Sequence, residues 1–143
     1  MHIGEVLSRK PRSDVVTIRP DAVVGELVAL LAEHNVGALV VSVDGTSVDG
    51  IVSERDVVRR LHADAAVAEV PVAAIMTPEV TTCSPASALD ELMRTMTDRR
   101  VRHVPVVEDG RLVGIVSIGD LVKHKIGELQ FERDQLDSYV HQT

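Results

Sequence analysis

Two short phrases each set a hydroxyl three residues ahead of a carboxylate: Gly50-Ile51-Val52-Ser53-Glu54-Arg55-Asp56 and Gly114-Ile115-Val116-Ser117-Ile118-Gly119-Asp120. Where the serine opens a helix, this spacing has two chemical uses. One is local: the serine caps the helix and the acid reaches back to the cap's own N–H, a capping box. The other is intermolecular. A helix start offers unpaired N–H groups and a positive dipole end to a phosphate, a serine hydroxyl there can donate to it, and the carboxylate one turn on can accept from vicinal hydroxyls. The glycine that precedes each run removes a Cβ where a ligand or another backbone comes close.

The elements that position these groups are themselves duplicated. Thr17/Thr82, Pro20/Pro85, Glu26/Glu91, Leu27/Leu92, Val36/Val101, Val41/Val106 and Asp44-Gly45/Asp109-Gly110 match at a constant offset of 65 (85 − 20), which falls to 64 (114 − 50) after the Asp-Gly turn. One register kept through helix, hairpin and helix means duplication of a supersecondary unit. In the first copy, Val15–Ile18 predicts a short strand, and Val24, Leu27, Val28 and Leu31 recur at helical spacing after Pro20. Ala38–Val43 and Val48–Val52, separated by Asp44-Gly45-Thr46-Ser47, predict a hairpin that runs into a second helix near Ser53. The second copy repeats this with Leu89, Leu92, Met93 and Met96, then His103–Val107 and Leu112–Val116, then a helix from Ser117. The fold class is α+β: two tandem β-α-β-β-α repeats with an extended C-terminal helix.

Four segments follow: repeat 1 with its lead-in over 1–62, a linker and lead-in helix over 63–79, repeat 2 over 80–126, and a helical extension over 127–143. The Ala/Val-rich stretch Ala63–Ala74 is read as a short helix ending at Ile75-Met76-Thr77-Pro78, with Val6-Leu7-Ser8 as its counterpart before the first copy. In the extension, Val122, Ile126, Leu129, Leu136 and Val140 form a heptad-like stripe interrupted by Arg133, which predicts a contact outside the repeat.

Composition narrows the function. Aromatic residues are 1% of the chain, so a base-stacking nucleic-acid platform is not expected, and a formal charge of −7 argues against a phosphate-backbone binder while leaving a local basic pocket open. Cys83 is the single cysteine, which excludes an intrachain disulfide and a cysteine-built metal site. The six histidines lack the helical spacing of a zinc pair, so no metal is expected. No apolar run is long enough to span a membrane and no leader pattern opens the chain, so no membrane partner and a cytoplasmic location are expected. No acid, base and nucleophile set is coherent, so no catalytic residue is assigned.

The two Gly-x-x-Ser-x-x-Asp phrases, Ile75-Met76-Thr77-Pro78 and Val104-Pro105-Val106-Val107 together resemble a pair of CBS domains, the cystathionine-β-synthase motif that pairs into a Bateman module. The resemblance covers residues 3 to about 126 and extends to free-standing bacterial members with a helical tail. It implies that the two repeats are packed as a pseudo-twofold pair, a non-enzymatic regulatory module, commonly a homodimer, with clefts for adenosine-containing ligands: AMP, ADP, ATP or an NAD-like molecule, and no required cofactor. It further implies that Ser53 and Ser117 sit near ribose or phosphate and that Asp56 and Asp120 accept from ribose hydroxyls. The adenine would lie against Val16, Thr17, Ile18 and Ala38 in one cleft and Thr81, Thr82, Cys83, Val104 and Pro105 in the other.

Arg99-Arg100-Val101-Arg102-His103 is the one basic run beside a predicted cleft, and its counterpart, His34-Asn35-Val36-Gly37-Ala38, is nearly uncharged. Such a run is ordinarily a solvated face. Related CBS pairs often carry phosphate-contacting groups where Arg102 and His103 stand, and an arginine fork suits phosphate oxygens. The second cleft is then expected to prefer the more anionic ligand. Arg55 has Gly119 as its counterpart; phosphate contact, dimer contact and plain surface residue all fit it. Cys83 replaces Ile18 and is read as a small core hydrophobe rather than a nucleophile. Two readings remain: a nucleotide sensor acting on a separate, unidentified protein partner or through its own dimer, and a dimerising interaction protein that needs no nucleotide.

Overall fold

The computed structural model describes residues 1–10 and 15–141. Helix α1 (Ile3–Ser8) precedes strand β1 (Thr17–Ile18), helix α2 (Val24–His34), strands β2 (Ala38–Val41) and β3 (Gly50–Ser53) and helix α3 (Glu54–Ala63). After two 3-10 turns come helix α4 (Leu89–Arg99), strands β4 (His103–Glu108) and β5 (Arg111–Ser117), and helix α5 (Ile118–Val140). In the first sheet β1 runs parallel to β2 and β2 antiparallel to β3. The second sheet is the antiparallel pair β4-β5, and Cys83 adds a single parallel bridge to Val106, the counterpart of the Ile18 pairing with Val41. Ala38 pairs with Ser53 and His103 with Ser117, so both helix-opening serines leave their sheets at the same register.

The duplication extends to the helix ends. α2 stops at Asn35 and α4 at Arg100, each in the left-handed region with φ of 51° and 56°, so a C-terminal cap closes both. The turn after β4 takes Asp109 and Gly110 to φ of 52° and 76°, the paired positive angles of a tight hairpin. In the longer first hairpin the Asp44 carboxylate instead gathers the N–H groups of Thr46 and Ser47, which hold its pKa well below the usual range.

Two apolar cores result, and the lead-ins cross between them. Ile18, Leu27, Leu31, Leu39, Val41 and Val52 of the first repeat pack with Val72, and Ile75 and Met76 rest against them. Leu89, Leu92, Met96, Val104, Val106, Val116 and Leu121 of the second repeat pack with Ile3 and Val6. Each lead-in therefore completes the core of the other repeat. A Cβ on Gly50 would come within 2.7 Å of Met76 Sδ, and one on Gly114 within 2.6 Å of a Leu7 methyl, so the glycines of the two phrases make room for the crossed lead-ins.

Four expected elements differ. The stretch 63–74 is no continuous helix: α3 runs to Ala63, and Val67–Glu69 and Val72–Ala74 are separate 3-10 turns, divided where Pro71 supplies no N–H. β1 begins at Thr17 rather than Val15, and β3 at Gly50 rather than Val48, because Asp49 turns its carboxylate in to accept from Val43 N–H and Ser47 Oγ. The first strand of the second copy is reduced to the Cys83 bridge. α5 continues to Val140, as its stripe predicts, and every residue from Leu129 to His141 is exposed; positions 142 and 143 of the expected extension lie outside the described residues.

Candidate functional site

Both serines cap their helices. Ser53 Oγ accepts from the Asp56 N–H at 3.4 Å and Ser117 Oγ from the Asp120 N–H at 3.1 Å. In return each carboxylate accepts from the serine's N–H, at 2.8 Å for Asp56 and 2.9 Å for Asp120. These are complete capping boxes, so the local use of the spacing is realised in both copies. It does not exhaust either carboxylate, because one oxygen of each takes the capping bond and a carboxylate offers about four acceptor directions.

The surroundings then diverge. Among the described residues the Asp56 side chain has only its own serine, whose Oγ also donates to it at 3.1 Å. At Asp120 the Lys10 ammonium donates to the same Oδ2 at 2.9 Å and to the Ile115 carbonyl at 2.8 Å. Both side chains are largely enclosed, at 27% and 28% exposure. Burial opposes ionisation of Asp120, but the Ser117 N–H and Lys10 outweigh it and hold the carboxyl below its ordinary pKa. His103, across the ladder from Ser117, also has a lowered pKa, here because burial disfavours its charged form and outweighs the pull of the Asp120 and Glu54 carboxylates. Its imidazole reaches the first repeat, since a Cβ on Gly37 would lie 3.4 Å from His103 Cε1 and 3.6 Å from a Glu54 carboxylate oxygen.

The other residues expected from the sequence are distributed as follows. Arg102 is exposed, and its carbonyl accepts from the Ile118 N–H at 2.8 Å, which ties the start of α5 to β4. Arg99 ends α4 and its guanidinium donates to Thr81 Oγ1 at 3.2 Å. Thr81 and Cys83 are half-buried and Thr82 is exposed. Cys83 is tied to β4 through Pro105 O and Val107 N–H, and burial pushes its thiol up to about 11, so it is protonated near neutrality. Ile18 and Val104 are core residues, 4% and 0% exposed, and offer a cleft their backbone rather than their side chains. Thr17 is half-buried and Ala38 buried beside Ser53, whereas Arg55 is exposed and has no side-chain partner among the described residues.

A cavity of about 580 Å³ lies between the repeats, a volume typical of small-molecule sites. Val16, Val36 and Ala38 form its first-repeat wall, Val113, Gly114 and Ile115 the second-repeat wall, and Leu7 and Lys10 come from the N-terminal segment. It takes two residues of the predicted first cleft, Val16 and Ala38, and meets the Asp120 cluster through Lys10. Thr17, Ile18, Ser53, Arg55 and Asp56 do not line it, and neither do Ser117, Asp120, Arg102, His103 or the expected second-cleft residues Thr81, Thr82, Cys83, Val104 and Pro105. Lys10 was not legible in the sequence as a site residue, because it stands far from either phrase and beside Pro11. The signal available was a length difference: Ser8 to Thr17 is four residues longer than its counterpart, Thr77 to Thr82.

The architecture has counterparts among known proteins. A solved CBS-domain protein of Agrobacterium tumefaciens is 44% identical, with a TM-score of 0.82 over 87% of this chain and 99% of that one. The mitochondrial CBS domain-containing protein CBSX3 of Arabidopsis thaliana is 37% identical over 125 residues, 84% of this chain, and the chain spans 61% of that longer protein. More distant is the CBS domain pair of protein MJ0100 in complex with 5′-methylthioadenosine and S-adenosyl-L-methionine, at 24% identity and a TM-score of 0.76 over 90% of this chain and 98% of that one. The CBS domain model matches residues 3–63 and again 72–127, and with both repeats covered this chain belongs to the CBS-domain family as a tandem pair.

Proposed function

We propose that this CBS pair is a non-enzymatic sensor that binds an adenosine-containing nucleotide, AMP, ADP, ATP or an NAD-like molecule, and reports occupancy to a separate protein or through its own dimer. The observation that carries this reading is the gathering of Ser117, Asp120, Lys10 and His103 at the start of α5, which Lys10 alone joins to an apolar cavity between the repeats. An apolar wall suits a purine and the Asp120 carboxylate suits a ribose diol. The adenosine compounds held by the related MJ0100 pair support the ligand class. Ligand at about a hundred times its dissociation constant stabilises a fold by roughly 2.7 kcal/mol, a rise of roughly 5–10 °C in melting temperature for a chain of this size. Differential scanning fluorimetry with AMP, ATP, NAD and S-adenosyl-L-methionine tests it. No shift from any of them at millimolar concentration overturns the sensor reading and leaves the nucleotide-independent interaction module, which the two closed capping boxes favour.

The same reading includes a homodimer. Val122, Ile126, Leu129, Leu136 and Val140 on α5 are 40–66% exposed, and Val58 and Leu61 on α3 are 64% and 51% exposed. Apolar stripes of this length gain by pairing with a second copy, which in a closed pair places the same surface on both partners. The chain is expected to run at twice its monomer mass by light scattering at tens of micromolar. Deletion of residues 128–143 is expected to weaken association at least tenfold, and an unchanged association constant assigns the tail elsewhere.

A further inference from the structure

The asymmetry between the two Ser-x-x-Asp pairs rests on Lys10. It belongs to the segment between the first lead-in and its strand, which is four residues longer than Pro78-Glu79-Val80-Thr81 of the second copy, and that second segment has no cation to offer Asp56. Because the lead-ins cross, α1 packs into the second core and delivers Lys10 to the second repeat's carboxylate rather than to the first's. There the ammonium uses two of its three donors, on Asp120 Oδ2 and Ile115 O, while its side chain lines the cavity between the repeats. Asp120 Oδ2 thus accepts from both Ser117 N–H and Lys10 before any ligand arrives.

Among the described residues Asp120 Oδ1 takes no hydrogen bond, but a ribose diol that donates one hydroxyl to each carboxylate oxygen meets this ammonium at Oδ2. If the diol displaces it and brings no anion, the enclosed cation loses its counter-charge, and burial makes that costly. A phosphate on the same molecule removes the cost: the diol takes the carboxylate, and the flexible lysine stem turns the ammonium onto the phosphate. His103 is neutral near pH 7 by the burial argument above and cannot substitute as a fixed charge.

We propose that the Lys10–Asp120 ion pair is a selectivity device of the second cleft, exchanged for a diol and a phosphate together, so that the cleft prefers a phosphorylated nucleoside over the unphosphorylated one. The proposal rests on the adenosine-nucleotide reading and names the chemical class within it.

Isothermal titration of the full-length protein with AMP and with adenosine, on the wild type, Lys10→Met and Lys10→Arg, tests it. The wild type is expected to bind AMP at least tenfold more tightly than adenosine. In Lys10→Met, AMP binding falls by about ten- to a hundredfold, the span of a charge-assisted contact of roughly 1.5–3 kcal/mol, while adenosine binds as well as before or better. Lys10→Arg retains the preference, and its melting temperature together with that of Lys10→Met verifies folding. A preference for AMP that survives Lys10→Met overturns the proposal, as does an equal loss for both compounds, which makes Lys10 a structural tie only. Adenosine binding as tightly as AMP in the wild type overturns this proposal alone, and absence of binding by either overturns the nucleotide reading with it.

Discussion

A chain lacking residues 1–8 is expected to lose the structure of its second repeat before that of its first. Ile3 and Val6 are fully buried among Leu89, Leu92, Val104 and Val116, and Leu7 fills the space above Gly114. The backbone adds Ile3 N–H to Ser87 O and Gly4 N–H to Pro85 O, both 2.9 Å, and Leu89 N–H to Met1 O at 3.0 Å. Burial of one such side chain contributes roughly 1.5–3 kcal/mol, so the truncation removes several kcal/mol from a domain whose whole stability is on the order of 5–15 kcal/mol. Hydrogen exchange is the measurement that separates the repeats. Protection is expected to collapse in α4, β4 and β5 while α2, β2 and β3 retain theirs. Ile3→Ala is the milder test, with an expected loss of about 2–5 kcal/mol from the cavity left behind. If truncation instead strips protection from the first sheet, or from both sheets equally, the crossed lead-ins are not the main link between the cores.

That crossing was the part of the fold the sequence concealed. Repeat register, apolar phase and the Asp-Gly turns are local signals, and α2, α4, both hairpins and the openings of α3 and α5 follow from them within a few residues. Which core a lead-in joins is decided by packing at long range, and Val6-Leu7-Ser8 reads the same whether it covers its own repeat or the other. The clue was steric: Gly50 and Gly114 stand where Met76 and Leu7 approach closely, and a glycine in a strand marks such an approach without naming the partner. The Ala/Val stretch 63–74 failed for a different reason. Its composition suits a helix, but Pro71 and the docking of Val72 into the first core divide it into single turns.

The two Ser-x-x-Asp helix openings were legible in the sequence, and their surroundings are asymmetric for a reason the sequence only half revealed. Arg102 and His103 drew attention to the second cleft because their counterparts, Gly37 and Ala38, are uncharged. Yet Arg102 lies exposed, and His103, by its burial, favours the neutral form. The cation that reaches the Asp120 carboxylate is Lys10, more than a hundred residues away in the chain, whose role depends on the crossed lead-in. Periodicity gives the phase of an element and motif spacing gives local chemistry. Neither gives a contact of that separation.

Replacing Asp120 by alanine is expected to weaken nucleotide binding about ten- to a hundredfold, the loss of a hydrogen bond to a charged group at roughly 1.5–3 kcal/mol, whereas Asp56→Ala leaves affinity within about twofold. Both substitutions remove the acid of a capping box, so each lowers stability by about 1 kcal/mol. Asp120→Ala lowers it further, because Lys10 keeps only the Ile115 carbonyl. Stability and affinity are thereby separable: melting temperature reports the caps, and titration with AMP reports the ligand. Asp120→Asn refines the result, since the amide retains an acceptor for the Ser117 N–H but no charge for Lys10. It should recover most of the cap and little of the affinity. Equal destabilisation with unchanged affinity in both alanine variants would falsify the ligand role of the carboxylates and reduce both pairs to caps. A larger affinity loss at Asp56 moves the principal site to the first repeat, and the Lys10–Asp120 pair then stands as a structural tie between the N-terminal segment and α5.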